Sequence, residues 1–336
     1  MLKELCEING VSGDEDRIRS FIKENIYQYV DELIEDNYGN LIARKGKINR
    51  KKILLAAHMD EVGMMITNIE KNGLLRFKTI GLRSQAILAK KITIGEKKIP
   101  GVIGHKPIHL TQRGETDKVP EIRELFIDIG AGSREESEKL IQIGDMATFD
   151  TKFRKEGDII YGKAFDNRIG CYILMELLKK TDIPAYYAFT VQEEVGLRGA
   201  RIVAYRINPD IAIAVDTTSS GEFPEKKDLP GYPIIGRGPV LTIADATILC
   251  DRNVLKIFEN VANKSRIPFQ YKQPMIGGTD AGVMHITREG IPSAVISTPA
   301  RYIHSPISIA SMKDIKNSIR LLSLTIEKIL KGAKWS

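Results

Sequence analysis

Five side chains of this 336-residue sequence are of the kinds that hold divalent metal ions: His58, Asp166, Glu194, Asp216 and His304. They lie far apart in the chain, so they form one site only if the fold gathers them. The local pattern indicates how it would. Residues 52–57, KILLAA, read as a short apolar strand running into His58. A second strand over 185–191 delivers Gln192, Glu193 and Glu194, and a third over 211–215 delivers Asp216. A fourth over 293–296 leads through a seven-residue loop to His304, and Asp166 opens a strongly apolar helix. Ligands of open α/β sheets bind beyond the carboxyl ends of the strands. Any one of these residues alone reads as a turn or a helix cap. Their joint placement at strand ends reads as a site.

Three carboxylates and two imidazoles, with no thiolate, suit zinc, cobalt or manganese in a catalytic site rather than a structural cysteine site. Five side chains exceed the roughly three that one catalytic zinc takes. Shared between two ions about 3.5–4 Å apart, with one carboxylate bridging, the count works. Such a pair binds a water or hydroxide, lowers its pKa and polarises a carbonyl oxygen. Attack on an amide also needs a base. Glu193 and Glu194 are adjacent, and neighbouring side chains at a strand end point in different directions. One can therefore bind metal while the other faces substrate, and position alone leaves open which does which. Asp60, two residues after His58, can sit behind that imidazole and fix its tautomer.

The elements that must position these residues fall into two textures. Residues 14–30 have helical spacing, with Ile18, Phe21, Ile22 and Ile26 on one face. From 63 to 148 the chain breaks into short strand candidates separated by glycines: 74–80, 91–94, 101–104, 124–129 and 146–149, with only 133–141 reading as helical. That pattern predicts a small β-barrel. Beyond Tyr161 helices and strands alternate, ending in a long helix over 312–330. The expectation is an α/β/α catalytic domain, residues 1–62 and 149–336, with a barrel, 63–148, inserted in it.

Composition excludes several other classes. Hydrophobic residues at 43% and charged residues at 28% rule out a largely disordered chain. No apolar run approaches the roughly 18–20 residues of a membrane span, and the amino terminus does not read as a secretory signal. Cys6, Cys171 and Cys250 are odd in number and widely spaced, which argues against a disulfide framework and for a cytoplasmic protein. The net charge of +7 raises the question of nucleic acid, but the lysines are scattered. The densest basic stretch, Arg44, Lys45, Lys47, Arg50, Lys51 and Lys52, reads as a solvated loop.

Six segments together resemble the M42 family of dinuclear aminopeptidases. They are AHMDEVG from Ala57, AFDNR from Ala164, QEEVGLRGA from Gln192, AVD from Ala214, GGTDA from Gly277 and RYIHSP from Arg301. They occur in the family's order and cover most of the chain. The resemblance implies a phosphorylase/hydrolase-like α/β fold with a β-barrel insert, and two divalent ions, Zn2+ or Co2+ with Mn2+ as a further option. By the same resemblance Asp166 would bridge the ions, His58 and Asp216 would complete one site, and Glu194 and His304 the other. Glu193 would be the general base acting on a metal-bound water, and the Asp166–Asn167 peptide would be cis. Substrates would be peptides shortened from the amino terminus. Subunits would assemble as homo-oligomers, as far as tetrahedral dodecamers with enclosed active sites. The chain departs from relatives after Asp216, where 217–221 lack a histidine, and at His105, where a small residue is usual.

Other residues have milder readings. Arg237, in a glycine-flanked loop, could pair with an acidic substrate side chain. Asp280 could cap the helix that follows it or approach substrate. His109 and His285 read as structural or exposed, Cys171 as inert core, and Met64 and Met65 as core. Three other functions fit parts of the pattern. A metal-independent glycoside hydrolase (endoglucanase) would use two carboxylates. A carboxypeptidase or deacylase would use a related dinuclear scaffold. A binder would keep the fold without catalysis.

Overall fold

The computed structural model describes every residue except 49–50, 108, 110–117, 225–231, 273 and 334–336. Its strands are β1 (Glu32–Glu35), β2 (Leu41–Lys45), β3 (Ile53–His58), β4 (Gly63–Ile69), β5 (Leu75–Ile80), β6 (Lys91–Ile94), β7 (Ile99–Gly104), β8 (Phe126–Asp128), β9 (Met146–Phe149), β10 (Arg154–Glu156), β11 (Ile159–Gly162), β12 (Ala185–Thr190), β13 (Ile211–Ser219), β14 (Val240–Leu241), β15 (Gln270–Tyr271), β16 (Ser293–Arg301) and β17 (Ser308–Ser311). Its helices are α1 (Leu2–Glu7), α2 (Asp16–Ile26), α3 (Ser84–Ile87), α4 (Arg134–Glu138), α5 (Phe165–Lys180), α6 (Arg198–Ile207), α7 (Arg252–Ser265), α8 (Ala281–Met284) and α9 (Met312–Leu330).

The large sheet has the order β1-β2-β12-β3-β13-β16-β17-β11-β10 among the described residues, with β14 and β15 attached beside β16. Its centre, β12-β3-β13-β16, is parallel. Every residue of β3 is buried, the continuous apolar run expected of a strand covered on both faces. α5 lies over β3 and β13, and α9 packs against α5 and β16; α6 and α8 form a second pair over β12, β13 and β16. Gly170 lets α5 approach β13 closely: a Cβ there would stand 2.4 Å from the Val215 carbonyl oxygen. α7 and α9 are each capped by a side chain. Asp251 accepts from the backbone of Asn253 and Val254, and Ser311 from that of Lys313.

Strands β4-β5-β8-β7-β6-β9 close into a barrel. The barrel has its own apolar core, including Met64, Ile66, Phe77, Ile92, Ile103 and Phe149. The expected α/β architecture with a barrel insert is therefore present. Several details differ from the sequence reading. β13 and β16 run on to Ser219 and Arg301, because small and hydroxylated residues after the apolar run still find ladder partners, Thr217↔Thr298 and Ser219↔Ala300. Asp216 thus lies inside a strand rather than after one. Met65 alternates outward in β4 and is 36% exposed, so only Met64 is core. Helix α2 is shorter than the 14–30 pattern and passes into a 3-10 turn, Tyr27–Tyr29. No helix among the described residues is long and apolar enough to cross a membrane. In the basic stretch, Arg44 pairs with Glu32, and Lys45 pairs with Asp182 and donates to the Leu178 carbonyl. Arg50 lies outside the described residues.

Candidate active site

The site forms where the central strands part. Thr190 of β12 pairs beside His58 of β3. Pairing between β3 and β13, by contrast, ends at Ala56↔Ala214, two residues before His58 and Asp216. A crevice opens there, at the point where the chain, having placed β12 on one side of β3, places β13 on the other. His58, Glu193 and Asp216 bring one potential ligand atom each to within 4.8 Å of one another, and Asp166, Glu194 and His304 do the same. Asp166 stands between the two histidines. Its Oδ1 is 3.1 Å from His58 Nε2 and its Oδ2 is 3.5 Å from His304 Nε2. His58 Nε2 is 3.8 Å from Asp216 Oδ1, and His304 Nε2 is 3.3 Å from Glu194 Oε1. All five sequence-predicted ligands and Glu193 are thus brought together. The Asp166–Asn167 peptide is cis, and the Asn167 side chain donates to the Val215 carbonyl, tying the turn to β13.

Asp60 lies beneath this group, fully buried. Its two carboxylate oxygens accept from the backbone N–H groups of Glu193 and Glu194, each at 3.1 Å, and Oδ2 also accepts from Ser12 Oγ at 2.6 Å. His58 Nδ1 lies 3.2 Å from the Asp60 carbonyl and 3.4 Å from its Oδ1. With acceptors around Nδ1, a neutral His58 would carry its proton there, and Nε2 would be free to bind a cation. Asp60 does not line the cavity above the cluster. It acts through the residues it holds.

The electrostatics have the form of a cation site written in protein charges. Burial alone would depress both imidazoles. For His58 the Glu193 charge and the Asp166 and Asp60 hydrogen bonds outweigh burial and raise it well above its ordinary value. For His304, Asp166 and Glu194 do the same and carry it to about 11. Burial, with Asp166 as neighbour, pushes Asp216 up to about 7. Burial raises Glu193 well above the carboxylate range, and the charges of Asp216, Asp280 and Glu194 add to it against the pull of His58. Glu194 Oε1 is buried, and among the described residues the one partner near it is His304 Nε2. Converging buried carboxylates and imidazole nitrogens fit divalent metal held by oxygen and nitrogen donors.

A cavity of about 310 Å³ opens over the cluster, with Asp166, Glu193, Glu194, Asp216 and His304 in its wall. Neither of the two weaker sequence candidates lines this cavity, although the charge of Asp280 is close enough to act on Glu193. Arg237 is exposed and outside this wall. Its flanking Gly236 and Gly238 N–H groups donate to Asp314, so the loop is turned toward α9. Asp280 is buried and also outside the wall. It makes no side-chain cap bond to α8 but accepts from Thr190 Oγ1 at 2.5 Å, and burial lifts it to about 6. His285 bonds the Ala281 carbonyl one turn back, and His109 is exposed. Cys171 donates to the His58 carbonyl, and burial pushes its thiol up to about 12.

Sequence reasoning missed a buried ion pair beside the site. Lys163 Nζ contacts both Glu61 oxygens at 2.6 and 2.7 Å, with each side chain 2% exposed. Glu61 also accepts from Gly10 N and from Thr148 Oγ1 of the barrel strand β9. Glu61 and Lys163 each stand three residues from a proposed ligand, His58 and Asp166. That spacing was the available signal.

The family model described as M42 glutamyl aminopeptidase matches residues 39–321. A putative aminopeptidase of Acetivibrio thermocellus is 44% identical over 327 residues, covering 96% of each chain. A lysyl aminopeptidase of Pyrococcus furiosus is 34% identical, covering 98% of this chain and 96% of its own. Among solved structures, the TET1 peptidase of Pyrococcus horikoshii superposes with a TM-score of 0.85 at 31% identity. The match covers 96% of this chain and 97% of that one, whose description says that it can assemble into a tetrahedron or a large octahedral shell.

Proposed function

Because the chain belongs to the M42 glutamyl aminopeptidase family, hydrolases that act on peptide bonds, we propose that it removes N-terminal residues from peptides with two divalent ions per subunit. His58 and Asp216 would hold one ion, Glu194 and His304 the other, and Asp166 would bridge them. The observation that carries this reading is the position of Asp166, whose two oxygens face two different imidazoles. A bridging carboxylate needs one oxygen for each ion. The donor set suits Zn2+ or Co2+, with Mn2+ also compatible. Bound ions would supply Lewis-acid polarisation of the scissile carbonyl and a lowered pKa for the attacking water.

Glu193 has the remaining role. It lines the cavity beside the ligands, and burial raises its proton affinity. A carboxylate so placed takes the proton of the attacking water and returns it to the leaving amine. Asp60 fixes the backbone of both glutamates and the tautomer of His58. Glu193→Gln keeps size and hydrogen bonding but cannot accept the proton. It should retain both ions by elemental analysis while turnover falls by several orders of magnitude. Near wild-type turnover in that variant would remove Glu193 from its role.

The same reading extends to the whole particle. The barrel, 63–148, is taken as an inserted unit that contributes subunit contacts, and the particle as a homo-oligomer as large as a dodecamer, on the model of the shells described for the similar Pyrococcus horikoshii peptidase. Light scattering that returned a monomer would remove this part. The three cysteines are buried and unpaired, which supports placement in a reducing cytoplasm.

A further inference from the structure

Asp60 is one of three side chains that hold the turn carrying the two glutamates. Four consecutive backbone N–H groups there donate to side-chain oxygens of distant segments: Val191 to Asn40 Oδ1 at 3.1 Å, Gln192 to Glu15 Oε1 at 3.0 Å, and Glu193 and Glu194 to Asp60. The carbonyls of Val191, Gln192 and Glu193 accept from the N–H groups of Gly199, Arg198 and Gly196, so the turn is tied on both sides. Gln192 has a φ of +57°. That is the left-handed region, which residues other than glycine adopt uncommonly and keep where their surroundings fix them. The Gln192 side chain is held as well, since its Oε1 accepts from Tyr38 Oη at 2.9 Å and from Arg198 Nη1 at 3.2 Å. Glu15 stands at the start of α2 but makes no capping bond to that helix. It is 4% exposed. Burial and the Asp60 charge raise its pKa to about 7, against the pull of the N–H groups of Gly13, Gln192 and Glu15 itself. A carboxyl keeps an acceptor oxygen in either protonation state.

We propose that Glu15 is a positioning residue for Glu193: by accepting the Gln192 N–H it holds Gln192 in its left-handed conformation and so aims Glu193 into the cavity. This rests on the aminopeptidase reading above, in which Glu193 is the base. The Gln192 N–H and the Glu193 N–H belong to the two peptide planes on either side of the Gln192 Cα. Glu15 grips the first and Asp60 the second. Peptide planes are rigid, so holding both fixes φ and ψ of Gln192. Asp60 alone holds only the second plane. Without Glu15 the Gln192 N–H is a donor without its partner, and Gln192 relaxes toward the common backbone regions and carries Glu193 with it. A shift of about 1 Å at a reacting group costs on the order of 100-fold in rate. Glu194 keeps its own N–H bond to Asp60, which leaves metal binding largely intact.

The test is a double-mutant cycle on the metal-reconstituted enzyme, assayed on the best-cleaved of a panel of aminoacyl nitroanilides. Glu15→Leu removes the acceptor. It should lower kcat about 10–100-fold with KM within about twofold of wild type and with both ions retained by elemental analysis. In a Glu193→Gln background the same substitution should cost about twofold or less, because the side chain that Glu15 aims can no longer take a proton. Glu15→Gln keeps an acceptor oxygen and should stay within about fivefold of wild type. Hydrogen exchange in the metal-loaded wild type needs no variant to fold: the Gln192 amide should be protected, as those of Glu193 and Glu194 are. A Gln192 amide that exchanges freely there overturns the proposal. So does unchanged kcat in Glu15→Leu, or a loss by the same factor in both backgrounds, which marks a general structural role. A Glu15→Gln variant as slow as Glu15→Leu also overturns it. If the wild type cleaves none of the nitroanilides, the aminopeptidase reading itself fails, a result distinct from cleavage that does not depend on Glu15.

Discussion

At the scale of residues, the site depends on carboxylates that do different work in nearly the same place. Asp60, Asp166, Glu193, Glu194 and Asp216 have the same chemistry, and position separates them. Asp60 is enclosed by N–H and O–H donors, so its charge is fully used in holding the backbone. Burial would raise its pKa, but the hydrogen bonds to His58, Ser12 and Glu193 N outweigh burial and keep it below the usual range. Replacing Asp60 by Asn puts an amide N–H₂ against a backbone N–H. That variant should lose about 10–100-fold in metal affinity or kcat while staying folded, as expected for a partner behind a ligand. Unchanged affinity and kcat would mean that Asp60 does not position His58 and the glutamates. The side chains that gather at the candidate site were legible in the sequence because strand ends are recognisable from apolar runs. Lys272, Ser12 and Thr190 were not, because nothing local marks a lysine as lining a cavity that distant segments build, or a serine or threonine as donating to a buried carboxylate.

At the scale of elements, the central parallel strands were legible from their unbroken apolar runs, and β6, β9 and α9 match the sequence reading to the residue. The two-residue strands β14 and β15 were not legible. Their pairing is a matter of tertiary proximity, since two residues carry no period. The extension of β13 and β16 escaped because the added residues are mostly small or hydroxylated and continue no apolar run. What joins the elements at the site is the Glu61–Lys163 pair, which ties the segment after β3 to the segment before α5 and, through Thr148, to the barrel. Arg168 strengthens the junction from the next turn, donating to the carbonyls of Leu5 and Ile8. Breaking a buried pair leaves an uncompensated charge and costs roughly 3–5 kcal/mol. Glu61→Gln and Lys163→Met should each lose stability of that order in urea unfolding. The double variant Glu61→Gln/Lys163→Met should lose less than the sum of the two single losses. Equal, additive losses would show that the two side chains act independently.

At the scale of the whole molecule, two cores are built separately, one around the sheet and one inside the barrel, and the candidate site lies at the parting of the sheet's central strands beside their junction. Its ionisable groups are costly to gather without compensation. His58 and Asp216 are buried, and the raised proton affinities of Glu193, Glu194 and Asp216 record the cost of crowding like charges in low dielectric. Two divalent cations would relieve that cost, so the account makes metal occupancy and catalysis one property. The most direct measurement strips the protein with a chelator and titrates Zn2+ or Co2+ back while following release from aminoacyl nitroanilides. The account predicts no release from the stripped protein and full activity at two equivalents per chain. Release that survives complete removal of metal, or activity that saturates at one equivalent, would contradict it.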